Sequence, residues 1–225
     1  MSEFGAEVFR VDSDSAQPRF VDAYPVPGRS GSLIMDGKKY ENVDVSYLLF
    51  FCGANAESNC SDAKQYLLSQ IGYQVLEDTE HPLEFRKGYV SAAINPTITR
   101  DRKMFRFRVN FNCKPQRYLA SGQSVTTLTA DGSITNPTLF DSQPLMRVYG
   151  VGALGVGSQT VTITQADEYT DIDSEMMDAF KGTANKNPYV QLTDHNFPVF
   201  KPGVNNISLG TGITKVEITP RWWIV

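Results

Sequence analysis

Apolar and polar residues alternate with a period of two along much of this chain, the pattern of strands with one buried and one wet face. The clearest run is Phe105-Arg106-Phe107-Arg108-Val109-Asn110-Phe111-Asn112-Cys113-Lys114, apolar at every odd position except for the small, soft Cys113 and polar at every even one. Pro115 is expected to end that strand. Val43, Val45, Tyr47, Leu49 and Phe51 alternate in the same way, and Leu48 and Phe50 make the second half apolar on both faces, which predicts a deeply buried central strand. The chain is therefore expected to be mainly β.

One segment has helical spacing instead. Ser61 is a candidate cap, Ala63, Tyr66, Leu67 and Ile71 form an apolar stripe, and Gly72 suits the left-handed residue beyond a helix end. Residues from Asp173 through Phe180 could form two further turns before Gly182, with a loop equally compatible. Between Pro115 and Asn136 the composition turns to Ser, Thr and Gly, with Ser121-Gly122 and Asp131-Gly132 as turn signals, and a boundary near residue 120 divides the chain into 1–119 and 120–225. Beyond it, Leu145 to Tyr149, Thr160 to Thr164, Tyr189 to Leu192 and Thr214 to Thr219 read as short sandwich strands, with Pro202-Gly203 as a turn. The last residues, after Thr219, are left free to pack back on the first domain.

Composition narrows the classes of function. At 225 residues, 41% hydrophobic and 11% aromatic, the chain can bury one large core or two modest ones. No apolar run approaches the roughly 18 residues that a spanning helix needs. A formal charge of -4 gives no electrostatic case for gripping a phosphate backbone. Met1-Ser2-Glu3-Phe4-Gly5 has neither a basic nor an apolar leader region, so the protein is expected to stay in the cytosol where it is made. Cys52, Cys60 and Cys113 form no C-x-x-C, which predicts neither a disulfide framework nor a four-sulfur metal site.

Catalytic chemistry is thinly provided. The two histidines are His81, which precedes Pro82 in a polar loop, and His195, so the usual general base and zinc ligand are scarce. H-E-x-x-H, G-x-S-x-G and the phosphate loop are absent, and Gly28-Arg29-Ser30-Gly31 reads as a turn. Asp167, Glu168, Asp171, Asp173, Glu175 and Asp178 make the densest acidic cluster, whose spacing fits no EF-hand. A solvated acidic loop, or one meeting a basic neighbour, is the plainer reading than metal binding or acid–base catalysis, and Asp171, Asp173 and Glu175 are its candidate interface residues. Arg100, Arg102, Lys103, Arg106, Arg108, Lys114 and Arg117 concentrate positive charge. Arg106 and Arg108 share one strand face, either as an interface to an acidic neighbour or as a wet face that discourages stray pairing. No cofactor is implied.

Several stretches resemble the distal tail protein family of siphophages and related prophages of Gram-positive bacteria. They are Val26-Pro27-Gly28-Arg29-Ser30-Gly31-Ser32-Leu33, Tyr40-Glu41-Asn42, and the block from Leu83-Glu84-Phe85-Arg86 to Phe111-Asn112-Cys113-Lys114-Pro115. In the second half they are Asn136-Pro137-Thr138, Arg147-Val148-Tyr149-Gly150, Ile172-Asp173-Ser174-Glu175, Pro202-Gly203-Val204-Asn205 and Ile218-Thr219-Pro220-Arg221-Trp222-Trp223. The family usually opens with a strand and turn before the segment that resembles Ser2-Glu3-Phe4-Gly5, so the first edge strand is expected to be missing or replaced, leaving unpaired backbone groups.

The resemblance implies an N-terminal tail-tube-like β-sandwich or split barrel with one α-helix, followed by a C-terminal galectin-like β-sandwich. It further implies a structural virion protein, assembled in the bacterial cytoplasm as a homohexameric ring and not an enzyme. Its partners would be the tail tube protein, a tail-tip or tail-associated protein and a receptor-binding protein, with DNA passing through the channel unread. The alternative is a carbohydrate-binding module contacting host cell-wall glycan. For that reading Trp222 and Trp223 are the candidate platform, although adjacent strand residues face opposite ways and packing is the simpler role. A cell-wall hydrolase would need a carboxylate pair or a Cys and His site in one pocket.

Overall fold

The strongest alternating run in the sequence becomes a strand of sixteen residues. The computed structural model describes residues 1–11, 18–99 and 103–225. The chain divides into two compact units, Met1–Arg117 with Val225, and Tyr118–Ile224. The first contains β1 (Ala6–Arg10), β2 (Arg19–Pro25), β3 (Ser32–Tyr40), β4 (Val43–Cys52), α1 (Ala56–Ser69), β5 (Gln74–Leu76), β6 (Glu84–Val90), β7 (Thr97–Ile98) and most of β8 (Met104–Leu119). The main sheet runs β1-β4-β8-β6-β5, with β7 also paired to β8.

β4 and β8 are antiparallel, with Phe51 opposite Phe105, Leu49 opposite Phe107, Tyr47 opposite Val109 and Val43 opposite Cys113. Their period of two therefore delivers both apolar sets to one face, where the Phe51 and Phe107 rings lie 5.5 Å apart. Each such fully buried phenylalanine contributes roughly 1.5–3 kcal/mol. The helix covers this face with Ala63 and Leu67 of the expected stripe, although it starts earlier than expected. It begins at Ala56, with Asn55 at its N-cap position, and buries Ala56, Cys60, Ala63 and Leu67. Tyr66 and Ile71 are exposed, Ile71 at 90%. The polar Glu57-Ser58-Asn59 turns outward and masks the first turn, so the true stripe starts five residues before Ser61.

Two further expectations are corrected. Leu48 and Phe50 are only half-buried, because they point to the opposite face of β4 from the core. Pro115 does not end β8, which continues to Leu119. The β4 ladder has already stopped at the Val43–Cys113 pair, so a missing N–H at Pro115 breaks none of its bonds.

The second unit is a sandwich of two antiparallel sheets. Its strands are β9 (Thr126–Leu128), β10 (Gly132–Asn136), β11 (Leu145–Gly150), β12 (Gly152–Val156), β13 (Gln159–Ile163), β14 (Tyr169–Asp173), β15 (Asp178–Lys181), β16 (Ala184–Asn185), β17 (Val190–Leu192), β18 (Gly203–Leu209) and β19 (Ile213–Thr219), while β20 (Trp223–Ile224) belongs to neither sheet and pairs with β8. One sheet is β10-β18-β12-β13-β17 and the other β16-β15-β14-β11-β19-β9. Met146, Val148, Ile172, Val216 and Ile218 from the second meet Leu154, Val156, Val161, Ile163 and Ile207 from the first in one core. The segment after Asp173 is a tight turn, 174–177, between β14 and β15 and not a helix. After Thr219 the chain returns to the start of its own unit: the Leu119 N–H donates to the Trp222 carbonyl at 2.8 Å and the Arg221 N–H to the Gly122 carbonyl at 2.7 Å. Gly122 is required there, since a Cβ would collide with the Trp222 backbone.

Candidate assembly surfaces

β2 and β3 form a two-stranded sheet whose ladder is entirely their own. The turn between them contains Gly28 at φ +77 and Gly31 at φ +85, left-handed positions that glycine adopts without a Cβ penalty. The register pairs Tyr24 with Leu33 and Asp22 with Met35 on one face, and Ala23 with Ile34 and Val21 with Asp36 on the other. Each face thus carries apolar side chains beside one aspartate, and both are bare: Tyr24, Leu33, Ile34 and Met35 are each at least half exposed. A lone hairpin is marginal in water, and paired apolar faces on one are a contact surface awaiting a cover.

A second surface lies on the outer face of the main sheet. Arg106 stands opposite Phe50 and Arg108 opposite Leu48 across β4 and β8, and Phe9 stands opposite Leu48 across β1 and β4. Phe9 and Phe50 meet edge to face at 5.5 Å, and Phe9 stays 56% exposed. The two arginines are exposed and make no ion pair among the described residues. The pair noted in the sequence therefore borders an aromatic strip that the sequence reading missed, because Phe9 reaches it only through strand pairing. Arg100 and Arg102 lie outside the described residues.

The acidic residues are committed within their own unit. Asp171 takes a bidentate pair from Arg147 at 2.7 and 3.0 Å, and the Arg147 guanidinium also lies 4.2 Å over the Tyr169 ring. Asp173 takes a second bidentate pair, from Arg221, at 2.7 and 2.9 Å, and accepts the Glu175 and Met176 N–H groups of the turn. Glu175 lies 3.5 Å from Arg221 and accepts from the Tyr118 hydroxyl at 3.1 Å. No group of three or more His, Cys, Asp or Glu is placed to hold a metal among the described residues. Trp222 is buried against Phe200, whereas Trp223 stacks on Phe140 at 4.5 Å and donates its Nε1–H to the Asp141 carbonyl at 2.9 Å. The two rings do not share a surface.

His81 belongs to a polar cluster in the first unit. Its backbone N–H and that of Glu80 donate to Asp78, which also accepts the Tyr47 hydroxyl at 2.8 Å and lies 3.4 Å from Arg10. Burial alone would raise the Asp78 and Asp173 carboxyls. At Asp78 the Tyr47, His81 and Arg10 groups outweigh it, and at Asp173 the Arg221 and turn N–H groups do, so both lie below the ordinary 3.8. A folded pKa below the unfolded one means that the unfolded chain binds more protons in that window. The stability these groups contribute is then complete above about pH 4–5 and lost as pH falls through the folded values. Thermal unfolding at pH 5 and at pH 3 should show this loss, and Asp173→Asn should flatten the dependence in the second unit; an unchanged slope would remove Asp173 from the account.

No known family profile matches the sequence, and no curated protein does either. Solved structures do match, over nearly the whole chain. The Dit protein of phage SPP1, a paradigm of the hub adsorption apparatus in phages infecting Gram-positive bacteria, superposes with a TM-score of 0.69 at 14% identity, over 97% of this chain and 92% of that one. The phage P2 baseplate in its activated conformation matches with Ca at 0.52 and 13% identity, over 94% and 89%, and with Sr at 0.51 and 13%, over 93% and 90%. At such identity the likeness is one of fold.

Proposed function

We propose that this chain is a structural distal tail protein of a siphophage or prophage. Six copies would close into a ring that docks on the tail tube on one side and on the tail-tip protein on the other, with the second units carrying receptor-binding proteins. The observation that carries this reading is the β2–β3 arm, which exposes large apolar side chains on both faces in the single chain. Its likeness to the SPP1 hub protein over nearly the whole chain supports the class. A contact between unlike surfaces of identical chains either closes into a ring or runs on as a filament. The role would reside in surfaces and no catalysis is assigned, since the acidic residues nearest to a catalytic pair are held by Arg147 and Arg221. No helix among the described residues is long and apolar enough to cross a membrane.

Light scattering on the purified protein, followed by negative-stain images of any large species, tests the proposal. The expected result is a six-fold ring with an axial hole. A strict monomer at high concentration, alone and with tail tube protein added, would overturn it and bring forward the glycan-binding reading.

A further inference from the structure

The second unit leaves one strand edge open. β10 stands at the end of its sheet, paired with β18 on one side, and its backbone makes no other backbone hydrogen bond among the described residues. Every second N–H and C=O along it therefore points outward, a pattern that another strand satisfies. Sheet ends are ordinarily protected by charge, by proline or by shortness. The other end strands of five or more residues, β1, β2 and β3, all carry charged side chains, and β5, β9, β16 and β17 have three residues or fewer. β10, Gly132-Ser133-Ile134-Thr135-Asn136, has none of these guards. The carboxylate of Asp131 before it is committed to β18, where it accepts the Leu209 N–H at 2.7 Å, and Pro137 follows the last residue of the strand.

The sandwich is also open along this side. Thr126 stands opposite the buried Ile218, on the core side of β9, and is nonetheless exposed. Leu128 packs only partly buried against the core that contains Ile134, and it reaches the start of β10, where a Cβ on Gly132 would stand 3.2 Å from its Cδ2. On the outer face, the cross-strand pairs Ser133–Asn206 and Thr135–Val204 are exposed and uncharged. We propose that the β10 edge takes an extended segment of a different protein as an added strand, with apolar side chains turned inward over Thr126 and Leu128 and uncharged polar ones outward beside Ser133 and Thr135. A second copy of this chain is the poorer occupant. Pairing β10 with its own copy would leave each Ile134, 7% exposed, in its own core and the opening over Leu128 unfilled. The contact lies within the second unit and does not depend on ring closure.

The test uses the full-length protein and a capped peptide with the sequence of residues 159–164, Gln-Thr-Val-Thr-Ile-Thr, which alternates in the required way. Backbone amide exchange is followed by mass spectrometry, with the native mass read on the same sample. At about 1 mM peptide, exchange over residues 132–136 is expected to slow about threefold or more, and the peptide with proline in place of Thr162 is expected to have no effect. Thr126→Glu, at an exposed position, sets a charge where the peptide's Val and Ile would sit and should abolish the protection while leaving the unfolding midpoint of the second unit unchanged. No slowing at 132–136, equal slowing by the proline peptide, or protection that persists in Thr126→Glu overturns the proposal. A doubled mass with these amides already slow before peptide is added assigns the edge to a second copy and overturns it as well.

Discussion

Arg221→Ala is expected to destabilise the second unit by about 3 kcal/mol, near the low end for breaking a buried ion pair because Arg221 keeps 17% of its side chain exposed. The loss has two sources. Asp173, with 4% of its side chain exposed, would be left without its cation, and Glu175 would lose the same partner at 3.5 Å. Asp173→Asn should cost less, since the amide oxygen can still accept the Glu175 and Met176 N–H groups and Arg221 keeps Glu175. The double variant should lose less than the sum, as residues in one network do. Backbone geometry adds a distinguishing comparison: Arg221 sits at φ +58, so Arg221→Gly should recover about 1 kcal/mol relative to Arg221→Ala by relieving the Cβ penalty. Both tryptophans of the sequence, Trp222 and Trp223, lie in this unit, so denaturant unfolding followed by tryptophan fluorescence reports it alone. A wild-type midpoint for Arg221→Ala would mean that the pair does not hold the C-terminal segment.

That pair also marks where sequence reading stopped. Asp173 was visible as part of an acidic cluster, but its partner is 48 residues away and carries no local signal. The strands were far easier, because a strand buried on one face writes its period into consecutive residues. Leu145–Gly150, Gln159–Ile163, Val190–Leu192 and Ile213–Thr219 lie within about a residue of their expected bounds. The helix starts earlier than its sequence suggests for a physical reason: Ala63 and Leu67 of the expected stripe are buried, but the stripe is continued backwards by the small Ala56 and Cys60, while the large Tyr66 and Ile71 stay in solvent.

The arm was not legible as an element at all. Only its turn, Gly28 to Gly31, gave a signal. Leu33-Ile34-Met35 breaks the alternation because neither face of this hairpin is assigned to the chain's own core. On the assembly proposed above, the cover comes from another chain, and a segment covered in that way has no reason to carry a one-face pattern. Leu48 and Phe50 read as buried because the strand is apolar on both faces there, yet they lie on the outer face of the sheet beside Phe9.

Leu33→Asp combined with Ile34→Asp is expected to leave the chain monomeric at concentrations where the unaltered protein assembles. The two positions lie on opposite faces of the arm, 53% and 64% exposed, so each charge strikes a different contact while neither enters a core. If each acts as an interface hot spot of about 2 kcal/mol, each contact is weakened about thirtyfold, and the two together by about a thousandfold. Folding should be spared, and the tryptophan-reported unfolding midpoint of the second unit should not move. The contrast with Arg106→Glu and Arg108→Glu is informative, because exposed charges beside an interface mainly alter association rate and salt dependence. Those variants should assemble more slowly at low salt and still reach the same mass. If the double aspartate variant instead assembles like the parent, the arm is not the element that joins the copies, and the aromatic strip of Phe9 and Phe50 with its two arginines becomes the surface to break next.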